Sequence, residues 1–184
     1  AGIVCTHAGG LPPRTRPHRV RYDDVVADVV ARTTALARAA VAAGVDPERV
    51  LVDPGHDFGK NTRHSLEATR RLDELVATGW PVLVALSNKD FVGETLGVPL
   101  EDRLHGSLAA TSVCAWLGAR IFRVHQVRET RMTLDMVASI RGERPPGPVV
   151  EPERGGRVRG RAGARQDRDG GQPGAVRRGR GGVE

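Results

Sequence analysis

The sequence lacks long apolar runs, has few cysteines and has no nucleotide-binding glycine fingerprint, and each shortage excludes something. No stretch approaches the roughly 18 apolar residues needed to span a bilayer, and no signal peptide is evident, so a cytoplasmic protein without membrane partners is expected. Cys5 and Cys114 stand far apart in apolar settings, outside any metal-ligand spacing, and are expected as buried reduced thiols. No Gly-x-Gly-x-x-Gly follows the first apolar run, which argues against a dinucleotide-binding domain. The stretch Glu151–Glu184 contains no aromatic residue; it has 9 arginines, 5 acids and 10 glycines, with only Val and Ala as apolar residues. Such a segment cannot bury enough surface to offset its ordering entropy. Without an aromatic to stack on bases, nucleic acid is not its expected partner. A disordered tail or an out-of-frame extension of a GC-rich gene is expected instead. Taking this stretch from the totals of 28 basic and 22 acidic residues leaves 19 and 17 in residues 1–150, a net charge of +2, so the remainder is close to neutral.

The remainder is a repeating pattern. Apolar runs at Ile3–Thr6, Val50–Val52, Val82–Lys89 and Ile121–Val124 alternate with helical periodicity over Tyr22–Ala43, Thr62–Thr78, Asp102–Leu117 and Glu129–Ile140. In the first helix Tyr22, Val25, Val26, Val29, Leu36 and Ala40 are expected on the inward face, and Gly44 ends it. Residues 90–101 read as a helical turn and a loop through Gly93, Gly97 and Pro99. Residues 9–19, with Gly9, Gly10, Pro12, Pro13, Pro17 and three arginines, read as a loop. Four strand–helix units imply an α/β fold with a parallel sheet, either open and doubly wound or part of a barrel. The chain opens with alanine close to a strand, which suggests a truncated start. Four units are half of an eight-stranded barrel, and an isolated half would expose two sheet edges and be poorly stable.

Polar residues gather where the apolar runs end. Asp53 closes Val50–Val52, Lys89 lies 36 residues later, and Arg123 lies 34 beyond that, with His125 two residues on. Strand ends of parallel sheets are where chemistry is done. Each residue has a plainer reading as well. Asp53 before Pro54 and Gly55 could be a turn-forming acid, Lys89 a solvated loop lysine, and His125 a satisfied core histidine. Arg123 and His125 are expected on one face by strand alternation.

The stretches DPGHDFGK, SNKDFVG, RLHGSLAA and RVHQV, in that order, resemble the carboxyl-terminal half of the dihydropteroate synthase family over Ile3–Ile140. The resemblance implies residues 1–144 as a partial pterin-binding (β/α) barrel of TIM type and 145–184 as a disordered Pro/Gly/Arg-rich tail. It implies a transferase of folate biosynthesis that joins p-aminobenzoate to a dihydropterin pyrophosphate and releases pyrophosphate, with Mg²⁺ held by the other half of the barrel. It further implies a possible homodimer. Asp53 would pair with the pterin ring, Lys89 would bond its polar atoms, Arg123 would cover its face, and Arg123 with His125 would hold the pyrophosphate. Lys89, Arg123 and His125 are thus the implied catalytic group.

The departures from that family pattern are clustered. Its Ser-Arg-Lys-Ser is here Ser87, Asn88, Lys89 and Asp90, so Asn88 and Asp90 alter the end that receives p-aminobenzoate. Two like charges about 4 Å apart cost about 4 kcal/mol at an effective dielectric of 20. Asp90 could equally cap the following helix. Near the first strand the family's Met-His-Met-x-Gly is here Thr6, His7, Ala8, Gly9 and Gly10, which removes bulk and apolar contact. His56 and Asp57 are added beside Asp53, and Gln126 replaces an acid. The pattern resembles the divergent second copy of the family that actinobacteria carry, with weak or no synthase activity. A non-catalytic pterin-binding or scaffold protein and a pterin-dependent methyltransferase domain are the alternatives.

Overall fold

The computed structural model describes residues 1–9 and 21–148. Of its two units, the first, Ala1–Gly147, carries every element described below; of the second only Pro148 is described. The expected proline-rich loop with Arg14, Arg16 and Arg19, and nearly all of the expected tail at 145–184, lie outside the described residues.

The core is a run of parallel strands taken in chain order. Strand β1 (Ile3–Thr6) pairs with β2 (Val50–Asp53) in the register Ile3–Val50 through Thr6–Asp53. The β2 strand reaches the next unit through a bridge between Val52 and Val82, where the Val52 N–H donates to the Pro81 carbonyl at 3.0 Å. Strand β3 (Leu83–Val84) pairs with β4 (Ile121–Phe122). The buried Val50, Val52, Val82, Val84 and Leu86 form the centre of the core. Apolar strands covered by crossover helices are the expected content of a parallel sheet.

The apolar runs of the third and fourth units are longer than their strands. After Val84 the chain turns, the Lys89 N–H donating to the Leu86 carbonyl at 3.3 Å and Asn88 adopting φ 60°. The β4 strand ends before Arg123, which therefore lies past the strand and not within it.

Helix α1 spans Val25–Ala42 and starts at Asp24, whose carboxylate accepts from the N–H groups of Val26 and Ala27 at 2.9 and 3.0 Å. A good N-cap fixes the first turn more firmly than periodicity does, so Tyr22 lies outside the helix. Its hydroxyl instead donates to the Gly59 carbonyl at 2.7 Å. The buried face is Val25, Val26, Val29, Thr33 and Ala37. Leu36, expected inward, is 48% exposed at the margin of that face and lines a cleft with Thr6, His7 and Arg32.

The expected second helix is two, α2 (Thr62–Arg70) and α3 (Leu72–Val76), broken at Arg71 with φ −109° and ψ 32°. The Arg71 guanidinium pairs with Asp24, Glu67 and Glu74 and braces the break. Residues 90–96, expected as a turn, form helix α4 (Asp90–Leu96), which runs through Gly93 because a Cβ there would collide with the Arg103 guanidinium. Helices α5 (Leu104–Trp116) and α6 (Val127–Ile140) complete the units. Both cysteines are buried free thiols, and burial pushes Cys114 up to about 12.

Candidate active site

Asp53 ends β2 with its carboxylate buried. Oδ1 accepts the Gly55 N–H at 2.8 Å, while Oδ2 has only the Thr6 hydroxyl at 3.5 Å. The turn-forming role is therefore present, and it uses one oxygen. The second oxygen is left for another partner. Burial raises the Asp53 pKa, while the Gly55 N–H and the charges of Lys89, Arg123 and Lys60 oppose that rise. Gly55, at φ 64°, cannot be replaced cheaply, because a Cβ would meet the His7 carbonyl.

Lys89, Arg123 and His125 line one cleft of about 240 Å³ with Ala85, Ser87 and Val124. The His125 N–H points to the Ser87 hydroxyl at 3.4 Å. Lys89 is not a freely solvated loop lysine. Its Nζ donates to the His56 carbonyl at 2.5 Å and sits 4.2 Å from the Phe58 ring centre. Burial lowers its pKa, opposed chiefly by Asp57 and then Asp53. Arg123 and His125 are exposed, so the core-histidine reading of His125 fails.

Asn88 and Asp90 do not face this cleft in the way the sequence suggests. The cap position of α4 is Lys89, and no side chain caps the helix, so Asp90 is not an N-cap. The Asp90 side chain is 78% exposed and pairs with Arg103 at 2.9 Å. Arg103 also donates to the Asn88 carbonyl at 2.9 Å, and the Asn88 N–H donates to the Ser107 hydroxyl at 3.1 Å. The charge expected to repel a carboxylate is neutralised by an arginine 13 residues away.

His56 and Asp57, expected beside Asp53, separate. His56 is 1% exposed, stacks on Phe91 with centroids 5.6 Å apart, and bonds Thr69 Oγ1 at 3.0 Å through Nε2. The Thr69 hydroxyl already donates to the Ser65 carbonyl at 2.9 Å, so Nε2 carries the proton. Nδ1 is left without a partner, and burial drives the His56 pKa down to about 3. Asp57 turns the other way, accepting the Ser65 hydroxyl at 3.0 Å and the Phe91 N–H at 3.3 Å.

One buried polar chain was not anticipated from the sequence. Lys60, 2% exposed, places Nζ 2.6 Å from His7 Nδ1 and donates to the Gly55 and Phe58 carbonyls, both at 3.1 Å. His7 Nε2 lies 2.7 Å from an Asp28 oxygen. Lys60 as donor and Asp28 as acceptor fix the proton of a neutral imidazole on Nε2. The chain ties the end of β1 to the loop after β2 and to the first turns of α1. The signal in the sequence was a lysine closing a glycine-rich loop and a histidine just past a strand, 53 positions apart.

The arrangement offers a buried acceptor, an ammonium and a guanidinium converging on one end of a sheet. That suits a flat ligand with a donor edge and an anionic substituent. Among the described residues no three His, Cys, Asp or Glu side chains gather as metal ligands. The side chains lining the cleft include an ammonium, a guanidinium and an imidazole but no carboxylate, a set that does not fit Mg²⁺. Among the described residues no helix is long and apolar enough to cross a membrane.

The family described as pterin binding enzyme matches residues 1–125. The inactive dihydropteroate synthase 2 of Mycobacterium leprae is 63% identical over 150 residues, which cover 79% of this chain and 52% of that protein. The structure of the Yersinia pestis dihydropteroate synthase with a sulfonamide drug superposes with a TM-score of 0.73 at 34% identity, over 78% of this chain and 52% of that one. The Thermus thermophilus dihydropteroate synthase in complex with 4-aminobenzoate gives a TM-score of 0.70 at 46% identity, over 76% and 56%. The chain thus spans about half the length of the curated relatives it matches.

Proposed function

This chain belongs to the pterin-binding enzyme family, and we propose that it is the carboxyl-terminal half of a (β/α) barrel that holds a pterin but condenses it with p-aminobenzoate weakly or not at all. The observation that carries the reading is Asp53, a buried strand-end carboxylate with one oxygen committed to its turn and the other still short of a partner. A pterin edge offers two parallel N–H donors, which suit such a group. Lys89 would bond the ring, Arg123 would cover it, and Arg123 with His125 would hold the pyrophosphate in the cleft they line. Weak synthase activity is supported by the prior engagement of Lys89 with His56 and Phe58 and by the 63% identity to a relative named inactive. The same engagement favours, as a second reading, a pterin-binding protein without catalysis.

The homodimer that the resemblance implies is part of the proposal. Met132, Met136 and Ile140 form an exposed stripe on α6, and sedimentation of the full-length gene product at the monomer mass would remove it.

The main test is isothermal titration of the full-length gene product with a dihydropterin pyrophosphate. We expect binding that Asp53→Asn weakens about tenfold or more, the effect of losing a charge-assisted pair. Absence of binding, or an Asp53→Asn variant that binds as tightly, overturns the pterin-site reading. Turnover with p-aminobenzoate in the same samples separates a slow synthase from a binding protein.

A further inference from the structure

We propose that Lys60 is a positioning residue of this site: its ammonium ties the Gly55 and Phe58 carbonyls to the His7 ring and so sets the loop that holds Asp53 and Lys89, an assignment that rests on the pterin-site reading of those two residues. Lys60 is 2% exposed and does not line the cleft, so it acts through its neighbours and not on a ligand.

Residues 54–61 connect β2 to α2 by a backbone that is left-handed at every second position from Gly55, with φ 64° there, 63° at Asp57 and 61° at Gly59. Chirality disfavours that conformation for any residue with a Cβ, so the shape has to be held from outside the loop's own preferences. The internal backbone bond, from the Phe58 N–H to the Gly55 carbonyl at 3.0 Å, closes one turn. Lys60 supplies the rest from within. An ammonium has three protons, and three acceptors surround this one: the Gly55 and Phe58 carbonyls, both at 3.1 Å, and His7 Nδ1 at 2.6 Å. The His7 carbonyl stands further off at 3.4 Å. An apolar side chain in this place would take the interior donor from both loop carbonyls at once.

Both loop bonds grip residues that hold the site. Gly55, gripped by its carbonyl, gives its N–H to Asp53 Oδ1 at 2.8 Å, which leaves Oδ2 for a ligand. Phe58, gripped the same way, sets its ring 4.2 Å from Lys89 Nζ. Between them the His56 carbonyl accepts from Lys89 at 2.5 Å. His7 anchors the far side. Its N–H donates to the Asp53 carbonyl at 3.0 Å, and its Nε2 lies 2.7 Å from Asp28, which Arg32 pairs at 2.8 Å. Lys60 therefore stands behind the carboxylate and the ammonium of the site alike, where β1, β2 and α1 meet.

The test uses the full-length gene product with Lys60→Met, which removes the donors, and Lys60→Gln, which returns an N–H₂ group. Leu75→Ala, in the core of α3, is the control that lowers stability without touching the loop. Isothermal titration with a dihydropterin pyrophosphate should show affinity about tenfold weaker or more in Lys60→Met, a smaller loss in Lys60→Gln and no change in Leu75→Ala. Without ligand, NMR of the unaltered protein should show the Gly55 amide proton shifted downfield by the Asp53 carboxylate, and Lys60→Met should lose that shift. Unchanged affinity in the folded Lys60 variants, an unchanged Gly55 amide, an equal loss of affinity in Leu75→Ala, or failure of both Lys60 variants to fold overturns the proposal. Failure of the pterin-site reading shows separately, as an unaltered protein that binds no dihydropterin pyrophosphate while its Gly55 amide still responds to Lys60→Met.

Discussion

Lys60 should make the protein more stable as the pH rises from 7 to 8.5. Burial lowers its pKa from 10.5 to about 7, even though Asp53 and Asp28 favour the charged form. Between those two values the unfolded chain holds a proton that the folded chain has released, so stability rises with pH by up to about 1.4 kcal/mol per unit. Starting from half-protonation near pH 7, the gain by pH 8.5 is about 1.5 kcal/mol. Below pH 7 both states carry the proton and the contribution flattens. Lys89, also lowered by burial, acts in the same direction. His7 is pushed below its usual 6.5 and titrates beneath this window. Cys5, Cys114 and Tyr22 are pushed up and act in the opposite sense, at higher pH. Urea unfolding of the full-length gene product at pH 7 and pH 8.5 reads the difference, with Lys60→Met as the comparison. The unaltered protein should gain about 1.5 kcal/mol over that interval and Lys60→Met should lose most of the gain. A stability that is flat or falls with pH, or a Lys60→Met protein that gains as much, would refute the assignment of the buried proton to Lys60.

His56→Ile removes the unpartnered Nδ1 but also the bond to Thr69, so at neutral pH its stability should change by no more than about 1 kcal/mol. The larger effect is in acid. With a folded pKa of about 3 against an unfolded 6.5, His56 subtracts stability as pH falls below 6.5, and the isoleucine variant should unfold at lower pH in an acid titration followed by circular dichroism. Gly55→Ala places a Cβ on the His7 carbonyl and forces a left-handed alanine, and should cost about 2–4 kcal/mol in a thermal melt.

Much of this was legible locally. The alternation of apolar runs and helical periods fixed four βα units, and Asp53, Lys89, Arg123 and His125 could be picked out because each follows an apolar run. What could not be read depends on residues far apart in the chain. Whether Asp90 presents a charge or hides one depends on Arg103, which periodicity places on the next helix without saying where its guanidinium reaches. The break at Arg71 is braced by Asp24, 47 positions upstream. Leu36 fits the inward period of α1 and is exposed all the same, because burial depends on what packs against the helix margin. His56 and Asp57 are adjacent in sequence yet serve opposite sides of their loop, a division made by the left-handed backbone at Asp57.

The chain-order sheet has a bearing on how the protein is made. Each strand pairs with the one that follows it, with the partners Ile3 and Val50, Val52 and Val82, and Leu83 and Ile121 closing loops of 47, 30 and 38 residues. Loop-closure entropy grows only slowly with length, so the three closures are of similar difficulty. Among the described residues no pairing waits for a residue synthesised much later. On a translating ribosome each helix can dock as soon as its second strand emerges, and the β1–β2 platform that carries Asp53 is complete while Lys89 and Arg123 are still being made. Within this half, the strand end that carries Asp53 is therefore completed first, and Lys89 and then Arg123 follow one unit at a time.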